Sequence, residues 1–372
     1  MGNHLTKRLQ NISGKDLTAI FSKIAKIDEF KGWWKGASQL NPQALGRLKR
    51  SIVVTSTGAS TRIEGSHLTD KEVEKLLKGL RVSKLTDRDS QEVAGYAEVL
   101  QTVFDSYKDI PFSEGLILQF HSQLLKYSEK DKQRRGKYKS APNKVVAFDR
   151  AGGETVLFNP TDPHLTPSEM LELVEWTRGE LKSGEFHPII IIANFIVEFL
   201  AIHPFHDGNG RLSRILTNLL LAKAGYSYMP YASLEKIIED HKAEYYIALR
   251  TAQKDGKSPK AEMACWIHFF IDAMVRQIDV LNGFLQSSST DSLLSPNQQR
   301  TLTLFDQHEE ISTKLVAEHL KIPSVTAKQI LNRLLELNLV KRLGAGRTTR
   351  YRYSQSERYD GKRKKSGKGT PG

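Results

Sequence analysis

Apolar positions recur at helical spacing over residues 16–31 and again over 41–57. Residues 66–80, SHLTDKEVEKLLKGL, read as a helix with acids in its first turn and an end near Gly79. Thr69 is its N-cap, and Glu72, three residues on, completes a capping box. Further helices are predicted over 91–107 and 113–127. Residues 143–160, NKVVAFDRAGGETVLFNP, change period: two β-rich runs flank Gly152-Gly153, the pattern of a hairpin. Residues 188–202 are almost continuously apolar, interrupted by Asn194 and Glu198, and ILTNLLLAKAG follows as a second apolar helical run closed by Gly225. A polar stretch from Gln286 reads as a linker. Beyond it three short helical patterns lead into two strands around Gly344 to Gly346. The fold class is therefore mainly α, with one internal hairpin and a change of pattern at the C-terminal end.

The two apolar runs enclose HPFHDGNGRLSR, residues 203–214. The turn starts a helix, and a helix start offers unpaired N–H groups and partial positive charge to an anion. Gly208 and Gly210 permit close backbone approach, and Asn209 adds an amide donor. Arg211 and Arg214, three apart, share one side of the first turns and suit phosphate oxygens. Asp207 suits magnesium, which takes one or two carboxylates plus phosphates and water. His203 suits proton transfer near neutral pH. An EF-hand is excluded because its twelfth position is Asn218. His203 and His206 have a spacing that a metal could use, but no Cys or further His stands near them. A Walker loop is absent, since GKS at 256–258 has Thr251 in place of the first glycine.

Residues 203–214 resemble the signature of the Fic family, HPFxxGNGRxxR with an acid at the second open position, and every fixed position is filled. The likeness extends over about 112–277. It implies a Fic helical core with a hairpin flap, and transfer of AMP from ATP to a Ser, Thr or Tyr hydroxyl of a target protein. It implies His203 as general base, Asp207 as holder of Mg2+, Gly208, Asn209 and Gly210 as anion cradle, and Arg211 and Arg214 as ligands of the outer phosphates. Phe205 is a core anchor. Lys144, Val145, Val146 and Ala147 are the flap residues expected to align the target by strand addition. EYYIALRTAQKDG, residues 244–256, resembles the family's later helix; Tyr245 and Tyr246 belong either to a base pocket or to the core.

STRIEG, residues 60–65, resembles the family's inhibitory motif through Ser60, Glu64 and Gly65. The resemblance implies that Glu64 pairs with Arg214 and leaves ATP in an unproductive pose. A plain helix end capped by Gly65 fits the same letters.

Length and charge set the domain plan. The 372 residues accommodate two or three domains, and an apolar fraction of 39% suffices for ordinary cores. From Lys341 onward eleven Lys or Arg face two acids, Glu357 and Asp360, so +9 of the net +13 lies in that end. This points to an acidic partner there. The expected plan is an N-terminal helical region with the inhibitory motif (1–110), a Fic core (111–285), a linker (286–297), a C-terminal module (298–355) and a basic disordered tail (356–372). The module resembles a winged helix, with Lys341, Arg342, Arg347, Arg350 and Arg352 on or beside the wing. DNA and a docked protein are its two candidate partners.

Cys265 is expected in the core, and one cysteine fits a reducing compartment. No run is long enough for a membrane span. Gly2 and Thr6 match a loose acylation pattern, and Asn11 a sequon; both are expected to be idle. The family resemblance implies a bacterial cytoplasmic protein, with homodimerisation left open. Three functions remain: a restrained adenylyltransferase, a DNA-binding regulator whose core senses nucleotide, and a Fic transferase using UMP, phosphocholine or phosphate.

Overall fold

The computed structural model describes residues 4–37, 42–79, 85, 87–148, 154–254, 258, 261–292, 295–336, 339–344 and 349–354. The expected hairpin tip at Gly152-Gly153, Arg347 and the basic tail lie outside the described residues. The chain divides into two compact units, Met1–Asn282 and Gly283–Gly372.

The first unit is helical apart from one hairpin. Its helices are α1 (His4–Gln10), α2 (Gly14–Ala37), α3 (Pro42–Ile63), α4 (Asp70–Gly79), α5 (Arg88–Ser106) and α6 (Glu114–Leu124). Strands β1 (Val145–Phe148) and β2 (Glu154–Phe158) follow. Then come α7 (Thr166–Ser183), α8 (Pro188–Ile202), α9 (Asn209–Lys223), α10 (Leu234–Asp240), α11 (Lys242–Gln253) and α12 (Met263–Ser292), which belongs to this unit as far as Asn282.

Helix α8 is the centre of the core. Every residue from Ile189 to Leu200 is buried, so it needs helical neighbours on all sides, and it packs against α7, α9 and α11. Its polar interruptions have partners. Arg8 of α1 donates through Nε to Asn194 Oδ1 at 2.6 Å and through Nη1 to Glu198 Oε2 at 2.7 Å. Asn194 donates back to the Leu5 carbonyl at 3.1 Å. A buried cation and anion thus pin a seven-residue helix that is too short to be stable alone.

Helix α3 runs six residues beyond the helical pattern read at 41–57, packs on α5 and α10, and ends just before Glu64. Helix α4 begins as its capping box requires: Thr69 N–H donates to Glu72 Oε2 at 2.8 Å and Glu72 N–H to Thr69 Oγ1 at 3.4 Å. β1 and β2 pair antiparallel, with Val145 opposite Phe158, Val146 opposite Val156 and a bulge between Val145 and Val146.

Three features differ from the sequence expectation. α1, α7, α10 and α12 form where the sequence pattern gives no helix. Helix α12 continues to Ser292, through residues read as linker from Gln286. Cys265 is exposed rather than in the core, because Met263, Trp266, Ile267 and Phe270 carry the buried face of α12.

The second unit holds α13 (Pro296–Leu302), a 3-10 turn at Thr303–Asp306, β3 (Glu310–Ile311), α14 (Thr313–Leu320), α15 (Ser324–Glu336), β4 (Val340–Leu343) and β5 (Arg350–Tyr353). Three helices before a pair of strands match the pattern read from sequence. The two-residue β3 is an addition and makes an antiparallel sheet of order β3-β5-β4. Its core joins Leu304, Ile311, Val316, Leu331, Leu334 and Tyr351.

Candidate active site

The site forms where α8 stops and α9 starts. His203 caps α8 in the left-handed region, φ 49° and ψ 61°. This conformation is costly for a residue with a Cβ and persists only where surroundings enforce it. His203 Nδ1 lies 3.3 Å from the Leu200 carbonyl, which can only accept. Nδ1 therefore carries the hydrogen, and Nε2 keeps its lone pair. Burial, with help from the Lys139 ammonium, lowers the imidazole pKa to about 4, against the opposing pull of the Leu200 carbonyl, Glu64 and Asp207. The ring is thus neutral around pH 7 with Nε2 ready to take a proton. Phe158 of β2 lies edge-on to it at 6.4 Å.

The turn is fixed by its own side chains. Asn209 Oδ1 accepts from Phe205 N–H at 2.9 Å, and Nδ2 donates to the Phe205 carbonyl at 2.8 Å. This amide is 2% exposed and closes the loop, where sequence led us to expect a donor for an anion. Phe205 is fully buried as expected and stacks on His121, centroids 3.7 Å apart. His121 Nε2 donates to the Asp207 carbonyl at 3.1 Å, while Nδ1 accepts from Gly136 N–H at 3.0 Å. Gly208, at φ 83°, turns the chain into α9 and leaves the first N–H groups of that helix pointing into the site.

Arg214, 4% exposed, donates through Nε to Ser60 Oγ at 2.8 Å and through Nη2 to the Ser60 carbonyl at 3.0 Å. The same Nη2 reaches Glu64 Oε1 at 2.7 Å. A Cβ added to Gly210 would stand 2.2 Å from that Oε1. The Glu64 carboxylate therefore lies directly over the first turn of α9, where an anion would sit. Gly65 follows with φ 102°. Burial opposes ionisation of Glu64, yet Arg214 and, more weakly, Arg211 outweigh it and hold its carboxyl below the usual range.

Arg211 is 1% exposed, with Nη2 2.9 Å from Asp207 Oδ1 and Nη1 3.0 Å from Glu92 Oε2. Its Nη1 lacks hydrogen-bond geometry and its Nε has no partner among the described residues. Arg88 holds Glu92 at 2.7 Å and stands 3.7 Å from Asp207 Oδ2. Burial raises the Asp207 pKa, but Arg211, the Gly208 N–H and Arg88 together keep the carboxyl ionised below its usual range. Among the described residues no group of three or more His, Cys, Asp or Glu side chains could cage a metal. The Asp207 carboxylate suits a magnesium ion that would take its other ligands from phosphates and water, since among the described residues Oδ2 faces Arg88 at 3.7 Å and no nearer cation.

The other expected residues fall as follows. Tyr245 is 3% exposed among Trp266 and Phe269, and Tyr246 lies against it edge-on. Val145, Val146 and Ala147 lie on β1, and Lys144 is exposed just before it. Sequence reasoning missed Arg88, Glu92, His121, Lys139 and Asn143. No local pattern flags them, because each acts across the chain.

A helix end capped by His203 and joined by a tight glycine turn to the start of a second helix resembles the arrangement of a Fic domain. Residues 111–221 match the family model described as the Fic/DOC family. The chain is similar to the protein adenylyltransferase fic-1 of Caenorhabditis elegans, 24% identical over 74% of this chain and 49% of that protein. It is also similar to a probable protein adenylyltransferase of Aquifex aeolicus, 35% identical over 26% of this chain and 27% of the other. The chain spans about half the length of the nematode relative. Among solved structures, a Fic family protein from Desulfovibrio desulfuricans superposes with TM-score 0.57 at 25% identity, over 97% of this chain and 98% of that one. The C. elegans Fic-1 structure shares the fold at TM-score 0.57 and 20% identity, over 73% and 74% of the two chains. Among the described residues no helix is long and apolar enough to cross a membrane.

Proposed function

We propose that this chain is a protein adenylyltransferase that restrains itself through Glu64. One observation carries the reading: a neutral imidazole with a bare Nε2 stands beside a helix start whose anion seat is filled by the chain's own carboxylate. The adenylyltransferase names of its relatives support AMP as the transferred group.

In this reading Nε2 of His203 takes the proton of a target Ser, Thr or Tyr hydroxyl. The hydroxyl oxygen forms a bond to the α-phosphorus of ATP, and the bond from that phosphorus to the bridging oxygen breaks, releasing pyrophosphate. The N–H groups at Asn209 to Arg211 and the Arg214 guanidinium hold the phosphates. Asp207 would hold Mg2+, which supplies charge neutralisation on the phosphates when bound. The unpaired edge of β1, from Val145 to Ala147, would align the target backbone, with Lys144 at its entrance. Glu64 occupies the anion seat and keeps Arg214 from phosphate.

The test is incubation of a Glu64→Gly protein with each labelled nucleoside triphosphate, UDP- and CDP-linked donors and a cell lysate, with the Glu64→Gly/His203→Ala protein as blank. Labelling from ATP that vanishes in the blank is expected. Labelling from another donor alone, or labelling that survives without His203, overturns the assignment.

For the second unit we propose a winged-helix role in DNA contact. Lys341, Arg342, Arg350 and Arg352 of β4 and β5 are exposed, although Arg352 is also paired with Glu310 at 2.6 Å. Phosphate neutralisation supplies most non-specific affinity. A gel shift against random duplex that weakens steeply with salt supports this role. Equal mobility at low salt removes it and leaves protein docking.

A further inference from the structure

We propose that Lys139 and Asn143 are the positioning residues that set the His203 ring for proton transfer and tie it to the flap. The inference rests on the adenylyl-transfer reading and adds to it what holds the base in place.

Helix ends leave carbonyls without intrahelical partners. Here α8 ends in a strained residue, and the four consecutive carbonyls from Ile202 to Phe205 all receive donors from residues 139–143. Lys139 Nζ donates to the Ile202 carbonyl at 2.9 Å, and Lys139 N–H to that of Pro204 at 2.9 Å. Asn143 Nδ2 donates to the carbonyls of His203 at 3.4 Å and Phe205 at 3.1 Å. The two side chains also bind each other, Lys139 Nζ to Asn143 Oδ1 at 2.8 Å. The segment is a mould for the base-bearing turn, and it explains how a non-glycine residue is kept at φ 49°.

Lys139 is 3% exposed, and no carboxylate among the described residues lies within ion-pair distance of it. Burying an ammonium group against carbonyls alone is expensive. Its pKa falls to about 8 for that reason, with Asp162 and Glu169 opposing the fall from further away. A hydrophobic residue would fill the volume more cheaply but could not gather the Ile202 carbonyl and Asn143 to one point.

Asn143 stands two residues before β1. Val145, where β1 begins, is paired with Phe158, and Phe158 sets its ring edge on His203. The base and the strand proposed to receive the target therefore share one anchor. A flap moved by a badly seated target would move the base with it.

The test uses the full chain carrying Glu64→Gly. Asn143→Ala and Lys139→Met are each expected to lower kcat by about tenfold or more while ATP affinity stays within about twofold, because the nucleotide seat on α9 does not include them. Unchanged kcat, or a loss that follows ATP affinity, overturns the proposal. A second readout does not depend on transfer. The 15N resonances of the His203 ring report a neutral Nδ1–H form in the parent, and they are expected to shift in both variants; unshifted resonances overturn the proposal. If Lys139→Met fails to fold, Asn143→Ala decides alone. If the parent shows no His203-dependent transfer, the adenylyl-transfer reading falls, and the resonances still decide whether this bracket sets the ring.

Discussion

Glu64 and Arg214, 150 positions apart in the chain, meet at 2.7 Å over the first turn of α9. The contact places one carboxylate against both Gly210 and a guanidinium that Ser60 also holds. Its strength comes from partial burial: Arg214 is 4% exposed, and Glu64 keeps about a third of its side-chain area, 33%, open to solvent. An ion pair in that setting outlasts a fully exposed one, yet a competing polyanion can still reach it.

Glu64 is aimed from behind. Arg62 donates to both Glu239 oxygens, at 2.6 and 3.1 Å, and Lys242 Nζ donates to the Ile63 carbonyl at 2.7 Å. The junction of α10 and α11 thus docks the end of α3. Glu239→Gln weakens this clamp without touching the nucleotide seat. We expect it to raise basal transfer severalfold in the otherwise native chain and to add nothing in the Glu64→Gly background. Initial rates of label incorporation for the four proteins check both parts.

Two imidazoles, His121 buried and His203 half-buried, make stability depend on acid. Burial lowers the pKa values of His121 and His203 to about 4, from 6.5. Between those values the unfolded chain binds protons that the folded chain does not. Stability is therefore fully present above pH 6.5 and is lost as pH falls toward 4. At His121 the cause is visible, since protonation removes the acceptor for Gly136 N–H. Melting temperature should fall steadily through that window, and less steeply in His121→Gln. A flat profile contradicts the assignment.

Much of this site is legible in the sequence. The tight turn between two apolar runs is a local pattern, and both helices form around it. The meeting of residues 60–65 with Arg214 is legible only through family resemblance, because no periodicity links α3 to α9. Lys139, Asn143, Glu92 and His121 stayed hidden because their contacts span long separations: 63 positions from Lys139 to Ile202 and 86 from His121 to Asp207. The bonds of the Asn209 amide to Phe205 are not legible, since a side chain free to face an anion and one bonded to its own turn are spelled alike. In α7 the buried positions Met170, Leu173, Val174 and Thr177 sit among acids, and only packing on α8 shows which face is buried.

The pair of Arg8 and Glu198 gives a stability prediction. Their side chains are 1% and 3% exposed, and burial depresses the Arg8 pKa despite the carboxylate beside it. Removing one partner leaves a buried charge, with His4 at 3.3 Å as the remaining basic neighbour of Glu198. Arg8→Met should cost about 3–5 kcal/mol. Replacing both residues by apolar side chains should restore part of that loss, as chemical denaturation would show.

The most direct test of the account is the rate of AMP incorporation by the native chain against Glu64→Gly under identical ATP and magnesium. If Glu64 fills the seat that phosphate needs, the variant is faster by about 10²-fold, with the increase abolished by His203→Ala. Equal rates would contradict the account.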